Sequence, residues 1–243
     1  MPLTFPSHAA LPLPLKLWRP RWFDGVALVV GSASPDLAYA LDGTVLQAAG
    51  GVALYQVAHG PLGLPLFCLP VTLVCAVLVR RAAPVVAAHL PPWPAWLAPR
   101  DYGVLGAARP TLPVTVVSAL LGAASHQVWD AITDHAPIAD LASTVGGAIA
   151  ALPLAVHIGR RRMLRAWHGE PPVVAVRPGR FWGVAALVAV AGAAIISRLP
   201  GAALVHTTGA RLIGVFALSL LAATALHAAM TRAARLDRAR DAG

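Results

Sequence analysis

Hydrophobic and polar positions along the chain fall into long apolar blocks separated by short breaks rich in arginine and proline. Five blocks reach the roughly 20 residues that a helix needs to cross a bilayer: Leu62–Val79, Leu112–Ile132, Ile138–Ile158, Phe181–Leu199 and Arg211–Met230. A sixth, Gly25–Ala33, is too short to span and runs into Ser34-Pro35-Asp36, so it reads as a short or half-inserted helix. Ala88–Trp96, with Pro91, Pro92, Pro94, Trp93 and Trp96, reads as an interfacial loop. The pattern predicts an all-α fold, a polytopic membrane helix bundle with about five transmembrane helices plus a short N-terminal helix. It forms a single integral-membrane domain over residues 1–243.

Composition strengthens that reading. Hydrophobic residues make up 58% of the chain and charged residues 12%, with a mean hydropathy of +0.69, where a soluble domain carries roughly 25% charged residues. A net charge of +9 would point to nucleic acid in a soluble protein. Here the arginines sit between apolar spans, and positive-inside topology accounts for them without a nucleic-acid partner. Arg80, Arg81, Arg100 and Arg109 form one group, Arg160, Arg161, Arg162, Arg165, Arg177 and Arg180 a second, and Arg232, Arg235, Arg238 and Arg240 the tail. These are 14 of the 19 basic residues. If each of five spans crosses once, all three groups share a side, expected to be the cytoplasmic side of the inner membrane. Lys16, Arg19 and Arg21 conflict with this, because a crossing Trp22–Leu41 would draw the N-terminus inside; a first helix that does not cross is expected. Met1–Pro14 lacks a basic n-region and carries Pro2, Pro6, Pro12 and Pro14, so it does not read as a cleavable signal peptide. Cys68 and Cys75 lie seven apart in one apolar run and read as packing residues.

The candidate chemistry lies near the end of the second long block. His126 and Asp130 stand one helical turn apart and share a face. An imidazole and a carboxylate so placed can bind one metal ion, and ionisable groups at membrane depth are costly unless paired, ligating or wet. Asp134 adds a carboxylate one turn further on, His135 follows it, and the predicted topology brings His59 to the same membrane face. That inventory is compatible with a two-metal site.

Four blocks occur in order: Leu3-Thr4-Phe5-Pro6-Ser7-His8, Gly31-Ser32-Ala33-Ser34-Pro35-Asp36, His59-Gly60-Pro61-Leu62-Gly63 leading into Leu66-Phe67-Cys68-Leu69-Pro70, and Ser125-His126-Gln127-Val128-Trp129-Asp130. Together they resemble a bacterial membrane family, domain of unknown function 4184, over roughly residues 1–150. That family looks related to inner-membrane proteins described as metal-dependent hydrolases. The resemblance implies that His8, Asp36, His59, His126 and Asp130 are metal ligands. After Asp130 the chain departs from the Trp-Asp-Ser-Phe-Thr-His of its relatives, reading Ala131-Ile132-Thr133-Asp134-His135. His135 is thus either a displaced ligand or replaced by Asp134. A looser similarity extends to zinc-dependent phospholipase C and related nucleases, by analogy only.

Structural alternatives stand beside each of these. His89, His157, His168, His206 and His227 read as packed or hydrogen-bonded histidines. Asp36 could serve only as a turn or helix cap, His8 could be a surface residue, and His126 with Asp130 could be a structural pair bridging helices. If the ligands bind metal, zinc suits them and provides a nucleophilic hydroxide at neutral pH, with Asp36 or Asp134 as the catalytic base. No nucleophile elbow or phosphate-binding loop is visible, and the single glutamate, Glu170, falls in a predicted cytoplasmic loop. The expected function is a metal-dependent hydrolase of a phosphorylated membrane lipid or lipid-linked substrate at the extracytoplasmic face. One rival is a Mg²⁺-dependent prenyl-diphosphate enzyme built on Asp130 and Asp134. The other is a non-catalytic membrane scaffold or transport component.

Overall fold

The computed structural model describes residues 5–41, 53–133 and 137–241, and every regular element among them is helical. Two short helices, α1 (Phe5–Ala10) and α2 (Leu13–Trp18), precede α3 (Gly25–Ala33). The Asp24 carboxylate starts α3 by accepting from the N–H groups of Val26 and Ala27. A 3-10 turn, Asp36–Leu41, follows Pro35, and α4 (Leu54–Ala58) ends at His59. Then come α5 (Leu69–His89), entered through the wide turn Leu64–Cys68, α6 (Leu112–Thr133), α7 (Pro137–Arg160), α8 (Met163–His168), α9 (Pro178–Ile196) and α10 (Val205–Asp241).

Among the described residues, four helices are long and apolar enough to cross a membrane, Leu64–His89, Leu112–Thr133, Pro178–Ile196 and Val205–Asp241, and the Val145–Arg160 part of α7 is apolar too. The chain is an all-α membrane helix bundle. Its large apolar side chains point outward, among them Val74, Val117, Leu121, Val128, Leu187, Val190, Phe216 and Leu218. Small and polar residues such as Ala119, Ala123, Ser118 and Thr115 fill the space between helices, as in packing against lipid rather than water. The expected span Leu62–Val79 stops at the Arg80-Arg81 pair, whereas α5 runs on to His89. Arg80 is therefore a helix residue and not part of a loop. Its charge is met inside the bundle by an ion pair with Asp24.

The closest helix pairing that shapes the centre is α3 on α6. A Cβ on Gly31 would lie 2.5 Å from the Ala119 carbonyl oxygen, and one on Gly122 would lie 2.4 Å from that of Leu28. The two backbones touch where only glycine fits. The pair runs parallel: Asp24 N–H donates to Ser118 Oγ at 2.9 Å near one end, and His126 Nδ1 meets the Ser32 carbonyl at 2.7 Å near the other.

Residues 5–18 run back along this pair. His8 stacks on His126, at a ring separation of 4.0 Å, while Lys16 donates to the carbonyls of Pro20 and Phe23 at the foot of α3. The first 41 residues thus contain a helical hairpin with its tip at Arg19–Phe23. Lys16, Arg19 and Arg21 therefore lie at the end of the bundle opposite the level of His8. Two of the other arginine groups reach that same face, where Arg80 pairs with Asp24 and Lys16 lies over the Trp167 ring. Asp101 accepts from Arg162 at 2.8 Å and Arg165 at 2.7 Å, tying the segment after α5 to the one after α7.

Candidate metal centre

Five ionisable side chains meet where the far ends of α3 and α6 diverge. His8 comes from α1, Asp36 from the first turn of the 3-10 segment, His59 from the end of α4, and His126 and Asp130 from successive turns of α6. Each position has a local cause. Ser34 Oγ donates to the Gly31 carbonyl and Pro35 follows, so α3 stops and the chain turns Asp36 inward. Gln127 donates to the carbonyls of Ala58 and Gly60, at 3.1 and 3.2 Å, which holds the His59 segment against α6. Gly63 closes that turn, since a Cβ there would stand 2.2 Å from the Val57 carbonyl oxygen.

The donor atoms face one another. His126 Nε2 lies 3.1 Å from Asp130 Oδ2 and 3.5 Å from Asp36 Oδ1. His59 Nε2 lies 3.5 Å from Asp36 Oδ1 and 3.7 Å from Asp130 Oδ2, and His8 Nε2 lies 4.0 Å from Asp130 Oδ1. Two triads, His8–His126–Asp130 and Asp36–His59–His126, each keep their ligand atoms within 4.8 Å of one another. His8, His126 and Asp130 are buried to 1%, 0% and 6% exposure, whereas the Asp36 side chain keeps 28%. Asp36 therefore marks the open side.

Proximity here does not satisfy these groups. Among the described residues, nine buried side-chain polar atoms lack a hydrogen-bond partner, and five of them belong to this cluster: both ring nitrogens of His8, Nε2 of His59, Nε2 of His126 and Oδ1 of Asp130. Leaving a buried polar atom unpaired costs about 1–3 kcal/mol each, so a cluster of them calls for a ligand. The other ring nitrogens are anchored. His126 Nδ1–H donates to the Ser32 carbonyl and His59 Nδ1–H to the Tyr55 carbonyl at 2.8 Å, which turns both Nε2 lone pairs into the cluster. His8 is kept neutral, its pKa pushed down to about 4, first by burial and then by His126 beside it.

Donor separations of 3.1–4.0 Å are what a shared ion requires. Ligands about 2.0–2.2 Å from one centre lie roughly 3.0–4.2 Å apart, from right-angled to opposite positions. Each triad therefore has the donor set and spacing for one divalent ion, with His126 common to both.

Asp134 and His135 lie outside the described residues. The remaining histidines take other roles. His89 meets the Val85 carbonyl and accepts from the Arg177 N–H, and His206 packs 5.8 Å from the Tyr39 ring. Hydropathy and motif spacing did not single out Ser32, Tyr55 or Gln127, although Ser32 and Gln127 stand inside two of the blocks quoted for the family resemblance. A polar amide in an apolar span was the available signal for Gln127. The Ser32 and Tyr55 contributions are main-chain carbonyls, which no residue type reveals.

A family model described as "Domain of unknown function (DUF4184)" matches residues 1–140, the stretch that supplies all five clustered side chains. No curated protein and no solved structure matches the chain.

Proposed function

We propose that this chain, which belongs to the family of domain of unknown function 4184, is a membrane-embedded metal-dependent hydrolase of a phosphorylated lipid or lipid-linked substrate. The observation that carries the reading is the set of unsatisfied, mutually facing donors on His8, His59, His126 and Asp130 beside the half-open Asp36. The buried triad His8, His126 and Asp130 would hold one divalent ion, with His59 beside it and Asp36 left free on the open side. Three imidazoles with two carboxylates suit zinc better than Mg²⁺, which favours oxygen ligands, and this weighs against the prenyl-diphosphate alternative. A divalent ion bound there supplies Lewis acidity toward a phosphoryl oxygen and lowers the pKa of water at neutral pH.

The chain's own residues do the rest. The Ser32 and Tyr55 carbonyls fix the imidazole tautomers, so that His126 and His59 present lone pairs and not protons. Asp130, the more buried carboxylate, supplies fixed negative charge. Asp36 is the one that solvent and substrate can reach, and it would take the proton as general base. Along α6, His126 and Asp130 stand about 21 and 27 Å from Leu112, by helix rise, near the end away from the arginines. With the arginine-rich face cytoplasmic by the positive-inside rule, the site opens near the outer surface of the inner membrane, within reach of lipid headgroups.

The test is turnover of a panel of phosphorylated lipids by detergent-purified protein. Asp36→Asn should abolish turnover while leaving at least part of the metal bound, and Asp130→Asn should lose both metal and turnover. Full activity in Asp130→Asn toward any substrate that the wild type cleaves would refute the assignment.

A further inference from the structure

A second charged feature lies at the opposite, arginine-rich face. Where α9 begins and α10 passes it, Arg177, Arg180, Phe181, Leu226, His227 and Met230 line a shallow open cleft. Its back wall is rigid: His89 Nε2 accepts the Arg177 N–H at 3.0 Å, the His89 ring stacks on Phe181 at 4.3 Å, and Trp182 Nε1–H donates to the His89 carbonyl. No carboxylate lines the cleft, and among the described residues neither arginine has an acidic partner, because Glu170 pairs with Arg165. Elsewhere on this face the guanidinium groups of Arg162 and Arg165 are neutralised by Asp101. The cleft therefore combines two free cations with an apolar floor that continues onto the outward-facing sides of α9 and α10, where Leu187, Leu218 and Leu226 are exposed.

We propose that this cleft binds an anionic membrane phospholipid, with Arg177 and Arg180 on the headgroup phosphate and Leu226 and Met230 against the first carbons of its acyl chains. A free anion would use the arginines and leave the floor bare, whereas an apolar tail alone would leave the arginines unpaired. An amphiphile with a phosphate head uses both. The site is remote from the metal cluster and stands whether or not that cluster hydrolyses anything.

Native mass spectrometry of the delipidated full-length protein with phosphatidylglycerol or phosphatidylcholine of matched chains tests it. Preferential retention of phosphatidylglycerol is expected, reduced about tenfold or more in Arg177→Gln/Arg180→Gln and unchanged in Arg235→Gln/Arg238→Gln, which removes equal charge from the tail. If the double variant does not fold, Arg180→Gln alone should show a smaller loss in the same direction. Equal retention of the two lipids, or equal losses in the cleft and tail variants, would overturn the proposal. Displacement of the lipid by inorganic phosphate at comparable concentration would overturn it too, since the site would then belong to a soluble anion.

Discussion

The same helix pair carries two buried polar clusters, and they are built on opposite terms. At the foot of α3 and α6, Asp24 caps α3 with one oxygen. Its other oxygen accepts from Thr115 at 2.9 Å and from Arg80, and its N–H donates to Ser118. Charge meets charge, and of that network only Arg80 Nε lacks a partner. About 12 Å away by helix rise, from Ser118 to His126, three imidazoles and two carboxylates crowd together and leave five buried atoms unpaired. A cluster selected to hold helices together satisfies itself, as the lower one does. A cluster that stays unsatisfied while its second nitrogens are anchored by main-chain carbonyls is prepared for something that binds.

The comparison can be broken most forcefully at the lower cluster. Asp24→Ala leaves the Arg80 guanidinium buried without its counter-charge, removes the α3 cap and frees Thr115, and should destabilise by about 3–5 kcal/mol. A collapse of yield or of the thermal midpoint in detergent is the expected readout, and a near-neutral change would show that Asp24 is not structural. Next in size is Gly122→Ala. Its Cβ would meet the Leu28 carbonyl and Ser32 N at 2.4 and 2.9 Å, both main-chain atoms that move only with the helix. It should cost about 1–3 kcal/mol and pull Ser32 away from His126, so stability and metal affinity fall together. A loss of stability with unchanged affinity would separate the helix contact from the site.

How much of this could be read from the chain follows from the same two clusters. The spans were legible because lipid demands long apolar helices, and Gly25–Ala33 came out with the bounds that the structure gives it. The five clustered side chains were named from motif blocks, because ionisable groups in an apolar context stand out. Asp24 and Arg80 did not stand out. An aspartate before an apolar run is an ordinary cap, an arginine after one is an ordinary span end, and their pairing across 56 residues is a tertiary fact. Nor could the hairpin be read locally, since its reversal depends on Lys16 reaching two carbonyls across a turn.

A smaller effect, absent near neutral pH, sharpens the upper cluster alone. The folded pKa of His8 lies near 4 against 6.5 for an unhindered histidine. In chelator-treated protein the unfolded chain therefore binds a proton that folded His8 refuses as pH falls below about 6.5. Stability attributable to His8 should be fully present above that value, decline toward pH 4 and level off below it. His8→Gln should lack this limb of the curve. Parallel pH profiles for wild type and variant would show that His8 titrates freely and is not held in the cluster.

The central claim is that the upper cluster holds a divalent ion, and metal analysis of detergent-purified protein, wild type beside His126→Ala, tests it most directly. The account predicts about one equivalent of a transition metal, zinc first, in the wild type and its loss in the variant, with Asp24 and Arg80 still holding the fold. Absence of stoichiometric metal from the wild type after reloading, or equal metal in both proteins, would contradict it.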